Sequence, residues 1–157
     1  MNNSAERILY RKSALIFEQL GFLMPRPDTG QDSDNESTSA VVPFKGPFSG
    51  CLVVSLSTEI ARQLSCNMLG DEQASNDILQ QDSLREIAHV ICGNALPAIF
   101  GIESVFRLDP PAICDAKYPA EAAKDFTQAA RALIAFDTGT AEVNLFVEST
   151  AIGTMPQ

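Results

Sequence analysis

The side chains with most chemistry to offer sit mid-chain, at Glu86 and His89, with Gly93 one helical turn beyond His89. His89 is the only histidine of 157 residues, so few acid, base or metal schemes can be built from this chain. A carboxylate can pair with a cation while a neighbouring imidazole accepts or donates a proton, provided both face the same substrate. A helix satisfies that condition. At about 100° per residue, Glu86 and His89 lie about 60° apart, and Gly93 falls nearly above Glu86. Leu84, Ile87, Ile91 and Ala95 occupy the opposite side. A glycine inside a helix costs about 1 kcal/mol against alanine, which suggests that Gly93 admits the close approach of another backbone or side chain. The competing reading makes Glu86 and His89 an exposed i,i+3 pair of small energetic weight, with Gly93 serving helix packing inside the chain.

Other chemistries find no footing in the sequence. There is no glycine-rich phosphate loop with a lysine, no GxGxxG, no HExxH and no GxSxG. Cys51, Cys66, Cys92 and Cys114 form no CxxC pair, and are expected to be small buried hydrophobes rather than metal ligands or a redox couple. Asp32, Asp34 and Glu36 invite a calcium reading, but an EF-hand loop would need Gly at Ser37 and Glu at Pro43. No metal site is expected.

The elements that must position Glu86 and His89 follow from apolar spacing and punctuation. Ser4 to Leu23 has helical spacing and ends at Gly21 and Pro25, and Pro25 to Ala40 is polar and acidic and is expected to be a mobile loop. Val41 to Phe44 and Phe48 to Leu56 suit a hairpin across Lys45–Gly46–Pro47. A second helix follows Ser57 or Thr58 and stops at Gly70. Ile78, Leu84, Ile87, Ala88, Ile91, Ala95 and Ile99 predict a long third helix over Asp77 to Phe100, with Pro97 kinking its last turns. Val105–Leu108, Ala112–Cys114, Arg131–Phe136 and Glu142–Val147 read as strands, the last two joined around Thr138 and Gly139. Each half offers a hairpin and a helix, compatible with an old duplication. The fold class expected is α+β in two layers, a sheet covered by helices, in a single domain spanning residues 1–157.

Composition narrows the partners. A net charge of −9 with a pI near 4.4 argues against nucleic acid, whose binding is driven by Lys and Arg. The longest apolar stretches, such as Ala132 to Phe136, fall short of the ~20 residues a membrane span needs. Glu6, Arg7, Arg11 and Lys12 interrupt any export signal, so a cytoplasmic location is expected.

Within Phe48 to Phe100 the chain resembles the CheX branch of the CheC/CheX/FliY chemotaxis phosphatases. Gly50, Leu52, Ser55 and Leu56 are similar to that family's second strand, and Ala61 with Met68, Leu69 and Gly70 to a helix ending in LG. Asp82, Ser83, Leu84, Glu86, Ile87, Gly93, Asn94 and Ala95 fall on its signature helix, ExxN followed by GNA. Glu86 and the GNA triplet match; His89 stands where the family has its catalytic Asn.

The resemblance implies a CheC-like antiparallel sheet with long helices on one face, a homodimer formed through the sheets, and a phosphorylated CheY-type response regulator as partner. It implies hydrolysis of the regulator's aspartyl phosphate with no cofactor on this chain, the regulator supplying Mg²⁺ and a lysine. Glu86 would pair with that lysine and His89 would position the attacking water, on a docking face of Asp82, Arg85, Glu86, His89 and Gly93. A neutral imidazole can accept a hydrogen bond from water, so activity is expected to fall below its reference pKa near 6.5. The alternative is a regulator-binding module with weak or no catalysis, because His89 replaces the Asn; a third reading makes the stripe structural. Asn94 lies about 140° around the helix from His89 and does not substitute for the amide.

Overall fold

The computed structural model describes residues 3–27, 36–114 and 123–156. Helix α1 (Asn3–Gly21) precedes strands β1 (Ser37–Lys45) and β2 (Gly50–Ser57), then helices α2 (Thr58–Leu69) and α3 (Asp77–Phe100). Short strands β3 (Arg107–Leu108) and β4 (Ala112–Cys114), long strands β5 (Thr127–Phe136) and β6 (Gly139–Val147), and a 3-10 helix (Ser149–Thr154) complete the described residues. Every strand pairing is antiparallel, in the order β3-β1-β2-β6-β5, with β4 also on the outer edge of β1.

Alternation along the strands divides the sheet into two faces. Ala40, Val42 and Phe44 of β1, Leu52, Val54 and Leu56 of β2, and Val143 and Leu145 of β6 join one core with Leu9 and Phe17 of α1, Ile60 and Leu64 of α2, and Leu84, Ile87 and Ile91 of α3. The three helices therefore cover one face, giving the two-layer α+β architecture. On the other face Val41, Cys51, Val53 and Phe146 form a smaller cluster against Ala123 and Phe126.

That second face is also polar. Glu142 and Asn144 are buried in β6. Glu142 accepts from Arg131 Nη2 at 3.0 Å and from Asn144 Nδ2 at 2.7 Å, while Gln128 Nε2 donates to Asn144 Oδ1. Ser39 and Ser55 share a hydroxyl–hydroxyl bond of 2.6 Å across β1 and β2.

Helix α3 has the bounds its spacing predicts. The Asn76 side chain caps its N-terminus by accepting from Leu79 N at 2.9 Å, and Gly101 ends it with φ 102°. The helix runs through Pro97 to Phe100. Helix α2 stops at Gly70, whose φ of 66° is the left-handed conformation that glycine adopts without strain.

Helix α1 ends differently. Gly21 is the glycine, but the left-handed residue is Phe22, with φ 51°. A Cβ at position 21 would lie 2.7 Å from Leu64 Cδ1, so a larger residue there would have to displace the buried Leu64 side chain where α1 and α2 touch. The left-handed position is thereby left to a bulky residue, at a cost of about 1–2 kcal/mol. Asn67 Nδ2 donates to Gly21 O at 2.8 Å and Leu23 N to Phe17 O at 3.2 Å, fixing the helix end.

Several boundaries differ from the sequence reading. The polar stretch expected as a loop over 25–40 is part of the sheet from Ser37, because Ser37 to Ala40 pair with β2 and the Ser39 hydroxyl finds Ser55. Arg26 N donates to Ala135 O at 2.7 Å, tying down the other end of that stretch; residues 28–35, with Asp32 and Asp34, lie outside the described residues. Strands β5 and β6 start earlier than expected, and β3 begins only at Arg107, since Arg107 and Leu108 alone pair with Lys45 and Phe44 of β1. Two thiols are buried as expected: burial pushes Cys51 up to about 11 and Cys92 further still. Cys66 and Cys114 are only partly buried.

Candidate functional site

Helix α3 presents two unlike faces to its surroundings. Leu84, Ile87, Ala88, Ile91, Cys92 and Ala95 are fully buried against the core. Asp82, Glu86, His89 and Gly93 are exposed, and Arg85 is partly so. The expected stripe thus exists as a continuous surface spanning an arc of about 100° around the helix.

Within the stripe, the charged groups are not equivalent. Asp82 and Arg85 form the i,i+3 pair, Arg85 Nη1 lying 2.9 Å from Asp82 Oδ1. Among the described residues, neither Glu86 nor His89 has a hydrogen-bond or ion-pair partner. The reading in which Glu86 and His89 exist to stabilise each other is not the arrangement adopted. Asn94 turns its amide back to Val90 O at 2.7 Å, engaging its own helix.

Gly93 is equally telling. A Cβ there would meet nothing within 4 Å among the described residues, whose packing does not require glycine. Pro97, four residues on, has no N–H to donate to the Gly93 carbonyl. With no side chain at 93 and no helical donor at 97, the backbone is open to an approaching molecule.

Beside Glu86 lies a groove of about 380 Å³ where the ends of α1 and α2 meet α3. Leu20 of α1, Phe22 just past its end, Met68 and Leu69 of α2, and Leu79 of α3 supply its apolar walls, and Asp82 and Glu86 its acidic one. Phe22 is 69% exposed and Leu69 53%.

Ile78, counted in the apolar series that predicts α3, is 71% exposed. It sits about 120° from Leu84 and only about 20° from His89, so the helical angle that placed Glu86 correctly already assigned Ile78 to the outer stripe. The groove itself was missed. Its one sequence signal is the Gly21–Phe22 order at the end of α1, a bulky residue where a helix end favours glycine.

No three His, Cys, Asp or Glu side chains among the described residues converge as a metal ion would need. No helix among them is long and apolar enough to cross a membrane.

Comparison with known proteins adds the family. Solved structures of similar fold include the chemotaxis protein CheX from Vibrio vulnificus, with TM-score 0.72, 16% identity, and coverage of 92% of this chain and 96% of that one. A CheX–CheY–BeF3–Mg²⁺ complex from Borrelia burgdorferi aligns at TM-score 0.66 and 14% identity, over 91% of this chain and 97% of that one. FliY from Thermotoga maritima aligns at 0.59 and 11%, over 98% and 94%. No curated protein sequence matches. A family model described as "Chemotaxis phosphatase CheX" matches residues 38–137, which run from the second residue of β1 through α2 and α3 to the end of β5; the chain belongs to the CheX family.

Proposed function

We propose that this protein hydrolyses the aspartyl phosphate of a CheY-type response regulator, with Glu86 and His89 acting from the outer stripe of α3. The observation that carries the reading is that these two side chains stand exposed and without partners one turn apart, beside an open Gly93, in a chain of the CheX family. The similarly folded complex from Borrelia burgdorferi pairs a CheX with a CheY, which supports the same class of partner here.

In this mechanism the regulator contributes the phosphoaspartate and the Mg²⁺ that neutralises its phosphoryl oxygens. Glu86 pairs with a regulator lysine, which fixes the helix across the site. Neutral His89 accepts a hydrogen bond from a water held in line with phosphorus. The water oxygen bonds to phosphorus as the bond to the aspartyl oxygen breaks, leaving inorganic phosphate and the regulator's carboxylate. Positioning of that kind supplies most of the rate in phosphoryl transfer.

The test is the dephosphorylation rate of a phosphorylated CheY-type regulator with Mg²⁺, with and without the protein, for wild type, Glu86→Ala, His89→Ala and His89→Asn. Acceleration by wild type, lost in both alanine variants and retained in His89→Asn, supports the mechanism. Binding without acceleration in wild type, with acceleration gained in His89→Asn, replaces it with the reading in which the chain binds the regulator and spares its phosphate. The homodimer and the cytoplasmic location belong to the same proposal, and sedimentation of the purified chain tests the first.

A further inference from the structure

We infer that the groove between the ends of α1, α2 and α3 is the apolar dock for the response regulator, and that Phe22 is its anchor. The inference rests on the function proposed above and names a second point of contact that the α3 stripe alone does not provide.

Phe22 combines a backbone conformation that disfavours bulky residues with 69% exposure of its side chain. Neither property improves the fold of this chain: a glycine would hold the left-handed position without strain, and burial would reward the ring. Backbone strain of this kind persists where the surroundings over-determine it and clusters at binding sites. Here the over-determination is visible. A Cβ at Gly21 would crowd the buried Leu64 Cδ1, and Asn67 holds the Gly21 carbonyl, so the ring is delivered to the groove edge from a braced helix end.

The groove shares Glu86 and Asp82 with the catalytic stripe. A partner that places a phosphoaspartate at Glu86 and His89 therefore comes up against the acidic wall of the groove. Leu20, Leu69, Met68 and Leu79 line it, and an apolar side chain carried on the regulator beside its phosphorylation site is the group that such walls desolvate. An aromatic side chain that becomes desolvated between two partners is a typical anchor of binding energy. The acidic rim at Asp82 and Glu86 favours a regulator that presents a basic group next to that side chain.

The experiment titrates the full chain with a labelled CheY-type regulator activated by beryllofluoride and Mg²⁺, comparing wild type with Phe22→Gly, Leu69→Ser and Glu86→Ala. Phe22→Gly, just past α1, and Leu69→Ser, at the end of α2, are each expected to weaken binding about tenfold. Phe22→Gly should keep its melting temperature, since glycine accepts the left-handed backbone. Binding by both variants within about twofold of wild type overturns the dock; if Glu86→Ala then still loses turnover, the proposed function stands without it. No binding by wild type overturns both. Sedimentation of the chain alone is run in parallel, and a shift to smaller species in Phe22→Gly would assign the groove to a second copy and overturn the regulator as occupant.

Discussion

The outer stripe of α3 and the second face of the sheet are both polar, yet they treat their polar groups in opposite ways. On the sheet, Glu142, Asn144, Arg131 and Gln128 are knit together by hydrogen bonds, and Glu142 and Asn144 are buried. On α3, Glu86 and His89 stand in solvent with no partner among the described residues. A buried carboxylate must be paired because its desolvation is costly. An exposed one without a partner contributes little to the fold. Polar groups that serve stability are thus distinguishable from those left available to another molecule.

The comparison breaks most decisively at Glu86. Glu86→Ala is expected to lower regulator dephosphorylation about a hundredfold, while changing unfolding free energy by no more than about 0.5 kcal/mol in a urea titration. A large loss of stability would place Glu86 with Glu142 instead. Glu142→Ala should show the reverse, with about 2–3 kcal/mol of stability lost because Arg131 and Asn144 lose their acceptor. Its regulator binding at low temperature should survive.

Gly93→Ala sharpens the contrast at a single position. The added methyl meets nothing among the described residues, and alanine is the better helix former, so stability should rise by about 0.5–1 kcal/mol. Turnover should fall if a partner occupies the space, and equal turnover would return Gly93 to a structural role.

The smallest effect concerns the exposed pair on α2. The hydrogen bond from Arg62, aided by its charge, holds the Glu59 carboxyl below its usual range. A depressed folded-state value stabilises the fold above the unfolded carboxylate's range and is lost as pH falls through the folded value. Arg62→Ala should therefore lower the melting temperature slightly at pH 7, and the difference from wild type should vanish in acid. A difference that persists in acid would mean that packing, not charge, carries the pair.

What was legible in the sequence was what local spacing determines. Apolar residues three and four apart, closed by Gly101, define α3 from Asp77 to Phe100, and the same arithmetic sets Glu86 and His89 outward. The start of β1 was not legible, because Ser37 to Ala40 owe their strand to pairing with residues up to Ser57. The Glu142 network was hidden for the same reason: only the register between β5 and β6 brings Arg131 to it. The groove at Phe22 depends on three helix ends meeting. Its clue was the residue order at Gly21, which has meaning only once Leu64 is known to lie against it.

The sheet order carries a consequence for how the chain is made. Its central pairing joins β2 to β6, Gly50 to Val147 in register, so neighbours at the middle of the sheet are separated by most of the polypeptide. Contacts so distant in sequence slow folding. On the ribosome, the β1–β2 hairpin and α3 emerge long before the strand that covers their inner edge. Until Val147 is synthesised, β2 has an open side, and the nascent protein must be kept from pairing that edge with another chain.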